Sequence, residues 1–292
     1  MLKKIYRFLA PKWQKLYMEY KVEFKPRYGY GLPPHKQLYD IINANRNLYA
    51  EILNEAKQHA PIFQSWKEKS QETNPILPAY NNDFLPGLDM IAIYTMIQKF
   101  KPSKYVEVGS GNSTKVAYQA VQNLPQTEII SIDPQPRAEI DQLATTIIRK
   151  PFEDIDFDFL FSLQANDILF IDNSHRILPN SDATVFFLEV LPKLAKGVIV
   201  HIHDIYLPYD YPQFMCDRFY SEQYGLAMFL LANSEKYQTI LPNYFISEDP
   251  QLSAIAAPIF EHPHLRNVER HGGSFWLMSG IEFLLACLFS NY

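Results

Sequence analysis

The chain has 292 residues, of which 47% are hydrophobic and 14% aromatic, so it can bury the core of one large domain plus an appendage. Its net charge of −5 argues against a nucleic-acid partner, because phosphate binding usually needs a basic surface. Two cysteines, Cys216 and Cys287, are too few for a disulfide framework, and no apolar run approaches the roughly 20 residues of a spanning helix. We therefore expect a soluble, cytoplasmic protein without a transmembrane segment.

The first 30 residues are basic, and their apolar residues follow a helical pattern. These residues recur at helical spacing on both sides of Pro11: Ile5, Phe8, Leu9, Trp13, Leu16, Tyr17 and Tyr20. The pattern fits helices packed on their own domain, helices that join the subunits of a homo-oligomer, or a segment on a membrane surface. A further helix is predicted over 36–59, and a polar, proline-rich linker follows at 70–86. Residues 1–79 are therefore interpreted as an N-terminal helical extension.

From residue 80 onwards a second unit is predicted, in which strands alternate with helices. A helix at 88–100 comes directly before the first strand. Alternation of this kind predicts an α/β fold with a mostly parallel, doubly wound sheet and helices on both faces, here over residues 80–292. The candidate strands are Tyr105–Val108, Glu128–Ile132, Thr146–Ile148, Asp167–Ile171, Gly197–Ile202, Tyr237–Leu241 and Ser274–Met278.

The first of these strands runs into a glycine turn, Gly109-Ser110-Gly111, followed by a helical run. A strand, a glycine turn and a helix in this order present free backbone N–H groups to a cofactor, and glycine permits its close approach. A nicotinamide oxidoreductase is disfavoured, because Thr114 stands where its fingerprint has a third glycine and Glu107 would face a pyrophosphate with the wrong charge. A carboxylate is better suited to a cationic or amine-bearing cofactor.

The pattern E-x-G-x-G-x-S-T resembles the first motif of the class I S-adenosylmethionine-dependent methyltransferases. The seven strands, with a shorter connection between the last two, are similar to the Rossmann-like sheet of that family. The resemblance implies that the amino-acid end of S-adenosylmethionine lies against the turn residues Glu107, Gly109, Ser110, Gly111, Asn112, Ser113 and Thr114. It also implies that Asp133 binds the ribose hydroxyls and that Glu153 lines the adenine pocket, although Asp133 also suits a plain turn before Pro134.

Acidic residues follow the fourth and fifth strands, where ligands bind in open α/β sheets. Asp172 ends the fourth strand, and His203 and Asp204 end the fifth. Two neighbouring carboxylates repel each other unless a proton or a cation lies between them. Together with the imidazole they offer ligands for Mg²⁺ or Mn²⁺, so Asp172, His203 and Asp204 are the predicted metal site.

These strand ends also resemble the methyltransferase subgroup that includes the O-methylating enzymes of antibiotic sugars. There the fourth strand ends in Asp-Gly-(Ser/Asp)-His and the fifth in Asp-Asp. By position, Asp172 and Asp204 match the metal aspartates and His175 matches the catalytic base. Asn173 replaces the usual glycine and His203 the first aspartate. The alternative is that Asp172 only orients the cofactor or substrate and that the strand-end histidines are structural.

The resemblance implies an S-adenosylmethionine-dependent methyltransferase that acts on a small-molecule acceptor, with a hydroxyl group as the expected target. Five tyrosines within 206–224 lie where such enzymes build the acceptor pocket, and tyrosines offer flat walls with a polar tip for sugars or phenols. The alternative is a non-catalytic S-adenosylmethionine-binding or scaffold protein with the same fold.

Overall fold

A computed structural model of the chain describes residues 6, 8–10, 17–136 and 140–280. The helical part that precedes the main sheet consists of α1 (Lys36–Asn43), α2 (Arg46–Ala56) and α3 (Ala60–Ser65). A short parallel pair follows, formed by β1 (Lys67–Glu68) and β2 (Ala79–Tyr80). The sequence predicted one helix over 36–59, whereas the structure has two, with a break at residues 44–45. At this break the side-chain amide of Asn45 donates a hydrogen bond to the carbonyl of Thr239.

The main sheet has seven strands, and its strand positions confirm the sequence prediction. After α4 (Gly87–Phe100) come β3 (Lys104–Val108), α5 (Asn112–Ala120), β4 (Glu128–Ile132), β5 (Thr146–Ile148), α6 (Asp158–Phe161), β6 (Ile168–Ile171), α7 (Asp182–Val185), β7 (Ile199–Ile202), α8 (Gln213–Cys216), α9 (Glu222–Asn233), β8 (Tyr237–Pro242), α10 (Asn243–Glu248), α11 (Pro250–Phe260) and β9 (Phe275–Ser279). The spatial order is β5-β4-β3-β6-β7-β9-β8, and β9 runs antiparallel to both neighbours.

Strands β6 and β7 lie at the middle of the sheet and are buried throughout their length. Helices cover both faces, which is why these strands are apolar along their length, with His201 as the exception, instead of alternating. The seven-stranded, mostly parallel sheet with helices on both faces is the fold class that the sequence predicts. The predicted short connection between the last two strands is wrong, because residues 243–274 hold α10 and α11. These helices pack against α2 and extend the core beyond the sheet.

The register of the parallel strands fixes where the candidate site lies. Val108 pairs with Ile132 and with Ile171, and Ile171 pairs with Ile202, so the last residues of four strands form one row. The residues that follow this row share one edge of the sheet: Gly109, Asp133, Asp172 and His203. The sheet therefore brings together candidate residues that are up to 94 positions apart in the sequence.

The helical extension packs onto the rest of the protein. Leu38 and Ile42 of α1 and Tyr49 and Ile52 of α2 belong to the same buried cluster as the sheet. The predicted boundary at residue 79 falls inside the bonded pair β1–β2. A division into two domains stays a prediction.

The predictions for the N-terminal 30 residues are only partly covered by the described residues. Ile5, Pro11, Trp13 and Leu16 lie outside them, whereas Tyr17 and Tyr20 are described, exposed and outside any helix. The predicted helical pattern therefore does not continue through residues 17–20. Assembly through this region and contact with a membrane surface stay predictions. Within the described ranges, no helix combines the length and the apolar character needed to cross a bilayer.

Candidate functional site

The glycine turn closes against the neighbouring strand end. Gly109 has a φ of +82°, and its N–H donates to the carbonyl of Ile132 at 3.0 Å. A Cβ atom at this position would lie 2.0 Å from the backbone oxygen of Asp172. Both the backbone conformation and the available space therefore require glycine here.

Side chains beneath the turn hold its shape. The Thr114 hydroxyl accepts the Gly111 N–H at 3.0 Å and donates to the Glu107 carboxylate. Glu107 is completely buried, and burial raises its pKa to about 8 despite hydrogen bonds from Ser113, Thr114 and Ser110. The structure thus places Glu107 and Thr114 below the turn, away from open space. Their predicted contact with a cofactor remains a prediction, and their observed contacts brace the turn.

A cleft of about 800 Å³ lies on the outer side of the turn, and we call it the cofactor cleft. Its walls include five of the predicted cofactor residues: Gly109, Ser110, Asp133, Glu153 and Asp172. Gly111, Asn112 and Ser113 line a smaller adjoining cavity. The Asp133 carboxylate accepts the N–H groups of Ser110 at 2.8 Å and of Gln135 at 2.7 Å. It is therefore held in place at the mouth of the turn.

A second cleft, of about 1480 Å³, lies beside the first, and we call it the acceptor cleft. Asp172 lines both clefts, so they meet at the end of β6. Tyr206, Tyr220 and Tyr244 are among the aromatic walls of the second cleft. Tyr206 and Tyr220 come from the predicted tyrosine segment, whereas Tyr244 was missed, because it lies on α10, outside that segment.

Two histidines and two aspartates form a cluster where the clefts meet; this junction cluster consists of Asp172, His175, His203 and Asp204. His175 Nε2 lies 3.5 Å from Asp172 Oδ1 and 3.4 Å from Asp204 Oδ2. His203 Nδ1 lies 3.9 Å from Asp172 Oδ1 and 3.6 Å from Asp204 Oδ1. The structure therefore brings together the predicted base and the three predicted metal ligands.

Two members of the junction cluster have backbone conformations that are unusual for their residue types. His175 has a φ of +62° and Asp204 a φ of +55°, both in the left-handed region. Non-glycine residues in this region persist where the surrounding structure holds them, and they occur often at functional sites. The His175 N–H donates to the side chain of Asn173 at 2.9 Å, so Asn173 stabilises this turn.

Behind His203 lies Asp89, which the sequence interpretation missed. This carboxylate on α4 is completely buried and accepts hydrogen bonds from the Asn243 side chain at 2.7 Å, Gly273 N at 2.7 Å and Ser274 N at 3.0 Å. His203 Nε2 lies 3.3 Å from its Oδ2 atom. The feature of the sequence that could have identified Asp89 is that it is a lone acidic residue at the start of the apolar helix α4.

Behind His175 lies a second buried carboxylate, that of Glu222 at the start of α9. Its Oε2 atom lies 3.1 Å from His175 Nδ1. Glu222 lies 47 positions after His175, a separation that gave no spacing pattern, and an acidic residue at a helix N-terminus is common for reasons of helix electrostatics alone. Each histidine of the junction cluster is thus held from behind by an acidic side chain.

The charges of these carboxylates change the protonation of both histidines. Burial by itself lowers the pKa of His203, but the charge of Asp204 and the contacts with Asp89 and Asp172 outweigh it and raise the pKa to about 10. Burial also lowers the pKa of His175, and the hydrogen bond with Glu222 and the charges of Asp204 and Asp172 more than reverse this effect. Both imidazoles bind protons more strongly than an ordinary histidine does.

This donor set does not fit the divalent ion predicted at Asp172, His203 and Asp204. Asp204, Asp89 and Asp172 raise the pKa of His203, so a metal ion would have to displace a tightly held proton from the His203 ring. Its positive charge lies between the carboxylates that the metal would have bridged. Over the part of the chain that the structure describes, no group of three or more His, Cys, Asp and Glu side chains is arranged to hold a metal ion.

His201 has a structural position, as the sequence alternative allowed. Its ring stacks between Phe170, at 4.2 Å, and Trp276, at 3.9 Å, and its Nε2 lies 2.6 Å from the Ser274 hydroxyl. Complete burial holds its pKa well below the usual value, so the ring is neutral. His201 packs inside the sheet and is not part of the junction cluster.

Comparison with known proteins finds a similarity to a methyltransferase domain in the part of the chain that holds this site. Residues 106–205 match the family model described as a methyltransferase domain, which covers about a third of the 292 residues. An uncharacterized protein of Archaeoglobus fulgidus is 30% identical over 95 residues, which make up 30% of this chain and 43% of that protein. The chain thus matches less than half of this relative's length. Residues 106–205 contain the glycine turn and all four members of the junction cluster.

Solved structures with a similar fold are methyltransferases, at low similarity. A putative methyltransferase from Thermobifida fusca YX is 12% identical, with 66% of this chain and 79% of that chain covered and a TM-score of 0.41. The plantazolicin methyltransferase BpumL, in complex with SAH, is 13% identical, with 84% and 100% covered and a TM-score of 0.44. At this level the neighbours support no inference about individual residues.

Proposed function

We propose that this protein transfers the methyl group of S-adenosylmethionine to a hydroxyl group of a small molecule. The observation that carries the proposal is the junction of two clefts at Asp172, with the His175 imidazole beside it. One cleft contains the glycine turn of the methyltransferase domain, and the other is large enough for a separate acceptor.

The cofactor cleft supplies the groups that would hold S-adenosylmethionine. This cofactor brings an electrophilic methyl group on a positively charged sulfur, so the protein's task is to orient the two reactants. Asp133, Glu153 and Asp172 line the cleft, and the residues at the start of α5 line the cavity that adjoins it. Their hydrogen-bonding capacity suits a ligand with ribose hydroxyls and an amino group.

His175 has the chemistry required of a general base. A hydroxyl group becomes a good nucleophile when its proton is removed, and the neutral Nε2 atom of His175 can accept that proton. The raised pKa of His175 makes its neutral form a stronger base than an ordinary imidazole. The aspartates of the junction cluster would stabilise the resulting imidazolium. This proton transfer needs no metal ion.

The walls of the acceptor cleft support an acceptor with a flat or ring-shaped body. Tyr206, Tyr220 and Tyr244 present aromatic surfaces with hydroxyl tips, which suit sugars and phenols. We propose a hydroxylated ring compound of this class. The antibiotic-sugar subgroup is one source of such acceptors, and membership of it remains part of the proposal.

The test has a binding arm and a turnover arm. Calorimetry should show that S-adenosylhomocysteine binds and that NAD and NADP do not. Asp133→Ala should weaken binding by about 1–3 kcal/mol through the lost charged hydrogen bonds. Transfer of labelled methyl from S-adenosylmethionine to a library of sugars and phenols should then identify an acceptor. Binding without transfer to any acceptor would favour the non-catalytic scaffold, and absence of binding would refute the proposal.

A further inference from the structure

The segment formed by Tyr220, Ser221 and Glu222 makes four contacts with His175. The Tyr220 ring stacks on the imidazole, with 4.6 Å between centroids and 21° between planes. The N–H groups of Ser221 and Glu222 donate to the His175 carbonyl at 2.9 and 3.3 Å. The Glu222 carboxylate meets the imidazole Nδ1 at 3.1 Å. A backbone conformation that is unfavourable for histidine is thus fixed by a segment 45–47 residues away.

The Glu222 side chain is costly to bury, and this cost points to a role beyond packing. The residue has no exposed surface, and its Oε1 atom lacks a hydrogen-bond partner among the described residues. Burial raises its pKa to about 7, with His175 acting in the opposite direction. A buried ion pair of this kind adds little to stability compared with apolar residues of the same shape. Its main contact is with the ring that faces the acceptor cleft.

We propose, on the basis of the function proposed above, that Glu222 is a positioning residue that sets the tautomer and direction of the His175 ring. Its carboxylate accepts the Nδ1–H proton, which leaves the lone pair of the neutral ring on Nε2. That nitrogen is the one that faces Asp172 and Asp204 where the clefts meet. Without Glu222, the neutral imidazole is free to carry its proton on Nε2, where it cannot act as a base.

The first experiment reads the tautomer directly and needs no acceptor. Nuclear magnetic resonance of ¹⁵N-histidine-labelled protein, at a pH where the ring is neutral, should show His175 protonated at Nδ1, with the resonance assigned by its loss in His175→Gln. Glu222→Leu should shift the ring towards the Nε2–H form. Glu222→Gln should keep the wild-type tautomer, since its amide oxygen still accepts Nδ1–H. An Nε2–H ring in the wild type, or an unchanged tautomer in Glu222→Leu, would overturn the proposal.

The second experiment asks whether Glu222 acts through His175. With an acceptor found in the library, Glu222→Leu should lower kcat by about 10- to 100-fold, part of the 10²–10⁴-fold that a positioned base contributes. In the His175→Ala background the same change should have no further effect on kcat. The exposed Glu189→Gln is the matched control and should behave as the wild type. A loss of kcat that persists without His175 would contradict the proposal.

Folding and function are separated by two further measurements. Each variant is tested for its melting temperature and for S-adenosylhomocysteine affinity, which should both stay near wild-type values in Glu222→Gln. If Glu222→Leu does not fold, Glu222→Gln is measured in the wild-type and in the His175→Ala background instead. It should lower kcat only in the wild-type background, and by less than the 10- to 100-fold expected of Glu222→Leu. A wild-type protein that binds no S-adenosylhomocysteine would refute the proposed function, whereas the tautomer measurement tests Glu222 independently.

Discussion

At the scale of single residues, the junction cluster is a set of charges that control one another. Asp172 and Asp204 each lie within 4 Å of both His175 and His203. The two histidines differ in what they can do, because His203 is also tied to Asp89 and keeps its proton to about pH 10. We therefore propose proton transfer as the role of His175, and the raised pKa of His203 favours a lasting positive charge on that ring.

His175→Ala should lower kcat by about 10²–10⁴-fold, the usual contribution of a general base, while S-adenosylhomocysteine still binds normally. The wild-type rate should rise with pH as His175 loses its proton. Because the pKa of His175 is raised, the midpoint should lie above the roughly 6.5 of an ordinary histidine. Steady-state kinetics across pH measure both effects. A variant that keeps the wild-type rate, or that loses cofactor binding and stability together, would remove His175 from the mechanism.

Asp89→Asn should destabilise the protein by about 3 kcal/mol, because removing one partner of a buried ion pair leaves the other uncompensated. The pair's contribution has a definite pH dependence. The pKa of His203 is raised from 6.5 to about 10, so this contribution is complete below pH 6.5 and is lost as the pH rises towards 10.

Urea unfolding of the wild type and the variant from pH 6 to pH 10 measures this dependence. The stability of the wild type should fall over this range, and the stability of Asp89→Asn should fall less. The matched control is Asp83→Asn, since Asp83 is an exposed partner of Lys69 and its exposed pair contributes about 0–1 kcal/mol. Equal stability of the wild type and Asp89→Asn would refute the pairing.

At the scale of secondary-structure elements, the sequence predicted the sheet well because its signals are local. Strand β6 is an uninterrupted apolar run, strand β7 is apolar except for His201, and both are followed by polar residues; burial on both faces produces that pattern. The glycine turn was equally readable, since the structure requires glycine at residue 109. The strand ends therefore gave most of the candidate site.

What the sequence did not predict depends on contacts between distant elements. At the break between α1 and α2, the Asn45 side chain donates a hydrogen bond to the Thr239 carbonyl on β8. The contact between Glu222 and His175 likewise depends on where α9 packs relative to the loop after β6. The connection between β8 and β9, predicted to be short, holds α10, which begins directly after β8, and α11. Contacts between residues that are distant in the sequence produce no periodic pattern by which a single sequence could predict them.

Gly109→Ala should weaken S-adenosylhomocysteine binding by at least about 10-fold, because its Cβ would force the turn away from the Asp172 backbone. Gly31→Ala is the matched control, since Gly31 has a similar φ of +91° and open space around it. Both variants bear the backbone strain of a positive φ, and only Gly109→Ala should also disturb the cofactor cleft. Calorimetry of both variants decides the case. Equal affinity in the two would show that the turn does not hold the cofactor.

At the scale of the whole molecule, the core and the site are built on the same elements. Helix α4 contributes Met90 and Ile91 to the buried cluster and also carries Asp89, while α9 contributes Leu226 and Leu230 and carries Glu222. The helices on which these carboxylates lie are therefore fixed by the apolar packing around them. This arrangement explains how the buried charges are held in one geometry.

Whether the protein binds a divalent ion can be tested on the intact protein, through its melting temperature as well as its rate of methyl transfer. A divalent ion that binds only the folded state would raise the melting temperature, and its removal would lower it. We expect EDTA to leave both the melting temperature and the rate of methyl transfer unchanged, because the His203 imidazolium already lies between Asp172 and Asp204. Differential scanning calorimetry and turnover before and after chelation test this. A fall in either that Mg²⁺ or Mn²⁺ restores would reinstate the metal site predicted from the sequence.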